Sequence, residues 1–186
     1  MNDPATSAPG LGRPEEARAF LERNPDIEAV QLVITDANGV GRGKNVAREE
    51  LDALYGPGRN VAGSILGLDV TGEDVEETGL VWSVGDADQC CRPVAGSLAR
   101  ATWLARPTAQ VLGTMFEFDG QPARADPRHV LARVVNRLQS HGLTPVVAVE
   151  LEFFLLQREA DGRLQPARGL LSGVRSARID AYGLGR

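Results

Sequence analysis

The sequence predicts an α+β chain built in two parts, and three observations predict it. Between Ile27 and Phe118 the apolar residues fall in short runs bounded by Gly, Asn and Asp, the pattern of strands and turns, with only short helical stretches beside them. At Asp126 the period changes, and "DPRHVLARVVNRLQSHG" repeats its apolar residues at helical spacing. The run "VVAVELEFFLL", Val146 to Leu156, follows at once and reads as a strand covered on both faces.

Taken in order, residues 1 to about 13 are rich in Pro, Gly, Ser and Thr and read as a tail. Pro14 to Asp26 reads as a short helix, with Pro and Glu at its start and Asn24-Pro25 at its end. "IEAVQLVI" from Ile27 is a β-branched strand, and Asn38-Gly39 turns the chain into a hairpin that returns through Arg42 to Ala47. Arg48 onward forms a second short helix, closed by Gly56-Pro57-Gly58. "NVAGSILGLDV" reads as a strand punctuated by Gly, "TGEDVEETG" as an acidic turn and "GDAD" as another turn. "LVWSV", "LARATWLA" and "QVLGTMFEF" complete the strands, which makes Trp82 and Trp103 core residues. In the helix after Asp126, that residue is the N-cap and Pro127 the first position. Val130, Leu131, Val134, Val135 and Leu138 form its apolar stripe, and His141-Gly142 ends it. A hairpin turn follows at Asp161-Gly162. The domains expected are therefore a tail with a short helix (1–24), a strand-rich domain (25–119) and the start of a second domain (126–186) that the chain leaves incomplete.

Within "VVAVELEFFLL" the only polar residues are Glu150 and Glu152. Alternation puts them on the same side of a strand, roughly 6.5–7 Å apart at Cα. Two unpaired carboxylates in a covered strand repel and lose hydration, a cost of several kcal/mol. Arginine partners, a proton shared between the two, or a bound divalent cation would each compensate, and a pair of hard oxygen ligands suits Mg²⁺ or Mn²⁺.

Composition bounds the rest. With 42% hydrophobic and 24% charged residues the chain is globular, and a net charge of −5 with a pI near 5.1 speaks against a nucleic-acid partner. No apolar run reaches the ~20 residues that span a bilayer. The N-terminus lacks the basic-then-apolar order of a signal peptide, so neither a membrane partner nor export is expected and the location expected is cytoplasmic. Cys90 and Cys91 are adjacent and cannot staple distant segments, and His129 and His141 lack zinc-site spacing, so all four read as structural. "GVGRGKN" has Asn at both positions that would complete a phosphate loop and reads as hairpin, with Arg42 and Lys44 on its surface. Asp69, Glu73, Asp74, Glu76 and Glu77 lack calcium-loop spacing and read as a solvated acidic loop.

Four stretches, in order, carry a resemblance. "TDANGVGRGK", "GSILGLDVTGEDVEETG" with "GDAD", "DPRHVLARVV" and "VELEFFLL" together resemble the N-terminal portion of the glutamine synthetase family, over roughly Ile27 to Leu156. The resemblance implies a β-grasp domain followed by the truncated start of a catalytic α/β barrel. It implies ATP-dependent ligation of glutamate to ammonia or a larger amine through γ-glutamyl phosphate. It also implies two Mg²⁺ or Mn²⁺ ions, with Glu150 and Glu152 as ligands, one for each ion. The family's remaining metal ligands, its phosphate-binding arginines and most of its ATP site lie beyond Arg186, so no catalytic residue is expected within the chain. Family members are homo-oligomeric rings in which the β-grasp domain completes the neighbour's site.

The chain departs from the family pattern at two places, and the first bears on the acceptor. Typical members carry an Asp-Gly-Ser-Ser loop that helps bind ammonium, whereas this chain reads "VAGSILG", with Ala62 in the place of the aspartate. The family's Pro-Asp is likewise replaced, by Arg92-Pro93-Val94. The first departure resembles the γ-glutamyl-polyamine synthetase-like branch. The chain alone is expected to be inactive; the alternative function is a non-catalytic interaction module that docks onto full-length subunits.

Overall fold

The computed structural model describes residues 10–168, so most of the tail and residues 169–186 lie outside the described part. The chain divides into two compact units, Met1–Pro145 and Val146–Arg186.

The first unit begins with α1 (Pro14–Arg23), which has Pro14 at its first position, Glu15 and Glu16 against its N-terminal dipole, and Ala17 and Phe20 buried. β1 (Ala29–Thr35) pairs antiparallel with β2 (Gly41–Ala47), from Ala29↔Ala47 to Thr35↔Gly41, across the expected turn at Asn38-Gly39. Gly43 has a φ of 152°, and a Cβ there would lie 1.7 Å from Leu32 O, so the close approach of the two strands requires glycine. A 3₁₀ turn leads into the short α2 (Leu51–Tyr55), then β3 (Arg59–Ala62), β4 (Asp88–Pro93), the two-residue β5 (Ala99–Arg100) and β6 (Thr108–Phe116). The sheet order is β2-β1-β6-β4-β3, with β5 also on β6. The β1–β6 pair is parallel, from Ala29↔Thr108 to Val33↔Leu112, and the other pairs are antiparallel. It is a mixed α/β arrangement on a six-stranded sheet.

Alternation sorts the two faces. Val30, Leu32 and Ile34 of β1, Ala109, Val111 and Met115 of β6, Cys91 and Val61 point to one side. They form the core with Ala17, Phe20, Leu51, Leu54 and Tyr55 of the helices. Thr114 and Phe116 take the opposite side and meet α3 (Pro127–Ser140). Asp126 is its N-cap, as expected, and its Oδ1 accepts from Arg128 N at 2.8 Å. Its Oδ2 accepts from Thr114 Oγ1 at 2.8 Å and from Met115 N at 2.7 Å, so one buried carboxylate starts the helix and fastens it to β6. His129 Nε2 lies 2.9 Å from Met115 O, and its ring meets Phe116 edge-on at 4.9 Å, a packing role that agrees with the sequence.

Three expectations are corrected. Trp82 and Trp103 are exposed, because "LVWSV" forms a 3₁₀ turn at Trp82–Val84 and "LARATWLA" keeps only Ala99–Arg100 as strand. β4 was not expected, since Asp88, Gln89 and Arg92 interrupt the apolar alternation that marks a half-buried strand. Most of α3's apolar stripe is exposed, including Leu131 and Val134; the only buried residue of the helix is His129.

In the second unit, β7 (Leu156–Arg158) and β8 (Leu164–Pro166) form the hairpin expected around Asp161-Gly162, which Asp161 holds through Arg163 N at 3.0 Å and Arg163 Nε at 2.7 Å. Val146 to Leu155 has no strand pairing among the described residues. The expected strand covered on both faces is therefore corrected: Val146 is 94% exposed and Leu151 81%. A strand exists only where neighbours complete its hydrogen bonds, and apolar pattern alone does not supply them.

Candidate functional site

Glu150 and Glu152, the two metal ligands expected from the sequence, lie in this unpaired stretch, and both are exposed. Among the described residues neither makes an ion pair or hydrogen bond. Exposure supplies the compensation that a covered strand would have demanded, because water hydrates both carboxylates. Their chemistry fits a hard divalent cation, which prefers oxygen ligands. Their number fits only part of a site, since no group of three or more His, Cys, Asp or Glu that could hold a metal ion occurs among the described residues.

The stretch containing Ala62 is built more firmly. Ala62 ends β3, opposite Asp88 of β4, and Gly63–Leu66 continues as a 3₁₀ turn. A Cβ on Gly63 would come within 3.1 Å of Ala87 O and 3.3 Å of Gln89 Cδ, so the turn lies directly on β4. Gln89 Nε2 donates to Glu117 Oε1 at 3.0 Å, while Gln89 Oε1 is buried without a donor among the described residues. The turn runs into the acidic loop, which the β1–β2 hairpin holds from the other side. Asn38 Nδ2 donates to Leu68 O at 2.9 Å, and Arg42 donates through Nη2 to Asp69 O and through Nε to Asp36 Oδ2 at 2.7 Å.

Asp36 is the key to this clamp. Its side chain is almost fully buried, and its Oδ1 accepts from Asn38 N and Val40 N. Burial pushes its carboxyl up, but the Arg42 guanidinium and the two backbone N–H groups outweigh that and hold it below the usual carboxylate range. Asp69 closes its own loop: Oδ1 accepts from Thr71 Oγ1, Thr71 N, Gly72 N and Glu73 N, which holds its carboxyl low as well. Sequence reasoning placed Arg42 on the surface and passed over Asp36. The signal was present, since an Asp two residues before Asn-Gly favours a side chain bonded to its own turn. Lys44 is exposed.

Known proteins supply the context. Residues 124–181 match the family model of the glutamine synthetase catalytic domain, a span that includes α3 and both glutamates. Gamma-glutamylputrescine synthetase PuuA of Escherichia coli is 42% identical over 154 residues, 82% of this chain and 32% of the relative. The chain belongs to the glutamine synthetase family. Gamma-glutamylethanolamide synthetase of Streptomyces coelicolor is 32% identical over 155 residues, 82% of this chain and 33% of the relative. The crystal structure of a glutamine synthase homolog matches at a TM-score of 0.52 and 22% identity, over 62% of this chain and 27% of that one, a likeness of fold. This family member thus spans about a third of the length of the curated relatives it matches.

Proposed function

We propose that the chain is the N-terminal part of an ATP-dependent glutamate–amine ligase whose acceptor is an amine larger than ammonia. In this reading residues 25–119 are the β-grasp domain and residues 126–186 begin the catalytic barrel. Glu150 and Glu152 are the residues that would hold Mg²⁺ or Mn²⁺. Ions bound there would screen the charge of a transferring phosphoryl group. The observation that carries the acceptor reading is Ala62. A carboxylate at that place would attract a small cation such as ammonium, and a methyl group leaves room and no charge for it. The hairpin clamp on the acidic loop supports a positioning role for this stretch, with Asp36 and Arg42 holding the loop that follows Ala62. Identity to a gamma-glutamylputrescine synthetase supports the same acceptor class.

Replacing the matching third of the Escherichia coli enzyme by residues 1–168 of this chain tests the proposal. The expected outcome is glutamate- and ATP-dependent phosphate release that needs putrescine and is not supported by ammonia, and Glu150→Gln in the chimera should abolish it. A folded chimera that uses ammonia as well as putrescine would overturn the acceptor reading. One that binds ATP but uses neither amine would overturn the ligase reading. The 186-residue chain alone, with two metal donors among its described residues, should release no phosphate.

A further inference from the structure

A cavity of about 590 Å³ lies on the face of the sheet opposite the core. Asn60 of β3, Cys90 and Arg92 of β4 and Phe116 of β6 share that face, because Cys90 pairs with both Asn60 and Phe116 and Arg92 lies two residues on. Leu11, Pro57 and Phe118 supply apolar walls. Its size is that of a small-molecule pocket, typically ~300–1,000 Å³. Arg92 is half-buried, and its side chain makes no hydrogen bond or ion pair among the described residues. Cys90 Sγ donates to Pro57 O at 3.3 Å and leaves the guanidinium free. Glu117 also lines the cavity, but its Oε1 is taken by Gln89 Nε2.

A guanidinium presents parallel N–H donors that match a carboxylate bidentately, and a half-buried one without a protein partner has donors to offer a ligand. The aromatic and aliphatic walls around it favour a flat apolar body. We propose that this cavity binds a small organic carboxylate, with Arg92 gripping the carboxylate, Asn60 supporting it and Phe116, Phe118, Leu11 and Pro57 enclosing the apolar part. The proposal does not depend on the ligase reading.

Cys90 reports on occupancy, since it is half-buried within the cavity, whereas Cys91 is buried and its thiol is pushed up to about 12, chiefly by burial. The full chain is alkylated with iodoacetamide in the presence of benzoate, benzamide or inorganic phosphate. Benzoate should slow alkylation of Cys90 by about ten-fold at saturation, and neutral benzamide and phosphate should protect far less, because each lacks one half of the recognition. Arg92→Gln should remove the protection and Arg92→Lys should keep part of it, with unchanged circular dichroism reporting that each variant folds. Benzoate that fails to protect up to its solubility limit would overturn the proposal. Equal protection by benzamide, or protection that survives Arg92→Gln, would overturn the role of the guanidinium. Equal protection by phosphate would overturn the apolar half.

Discussion

β1 and the Val146–Leu156 stretch are alike in sequence and opposite in structure. Both are rich in β-branched and large apolar residues. In β1, Val30, Leu32 and Ile34 are almost fully buried, because β2 and β6 complete the backbone hydrogen bonds on either side and α1 and α2 cover the face. In the other stretch Val147, Val149, Leu151 and Phe153 are exposed, and from Val146 to Leu155 the backbone has no strand partner among the described residues. Apolar content states how much a segment gains from burial; a pairing neighbour decides whether it is buried. The same distinction governs charge. Asp36 is buried and needs Arg42, whereas Glu150 and Glu152 are exposed and need only water.

Core truncation gives the largest contrast. Leu32→Ala should lower unfolding stability by about 3–4 kcal/mol in urea titrations, while Leu151→Ala should change it by less than ~0.5 kcal/mol. Equal losses would mean that the second stretch is packed as firmly as β1. Next in size, Arg42→Gln should cost about 2 kcal/mol, because it leaves the Asp36 carboxylate buried with only backbone donors. This loss has a pH signature. A carboxylate held below its usual range stabilises the fold above its unfolded pKa, and that contribution disappears as pH falls through the folded value. The gap between wild type and Arg42→Gln should therefore be full at neutral pH and narrow only below about pH 4. A gap that instead closes between pH 6 and 8 would assign the effect to another group. The smallest effect is expected from Arg18→Gln. That ion pair with Asp52 is more than half exposed on both sides, and its loss should leave the urea midpoint unchanged.

Much of the fold was legible in the sequence. α1, the β1–β2 hairpin, β6, α3 with its Asp126 cap and the Asp161-Gly162 turn all carry local signals, either capping residues, a turn dipeptide or a regular apolar period. β4 carries none, since Asp88, Gln89 and Arg92 break its apolar alternation and its place is set by β3 and β6. Trp82 and Trp103 were misread because aromatic residues mark both cores and exposed turns. For the candidate site, residue type and spacing pointed to Glu150 and Glu152, and Ala62 stood out only beside the family pattern. In the clamp, the bonding of Asp36 to its own turn carries a local signal, whereas the contact of Arg42 with Asp69 O joins residues distant in sequence, and no local pattern announces it.

Manganese titration of the 186-residue chain, followed by electron paramagnetic resonance, tests most directly whether Glu150 and Glu152 form part of a metal site. Two carboxylates without further protein ligands should bind Mn²⁺ weakly, with a dissociation constant of about a millimolar, and Glu150→Gln with Glu152→Gln should abolish that binding. Binding that is unchanged in the double variant would place the metal elsewhere and contradict the assignment.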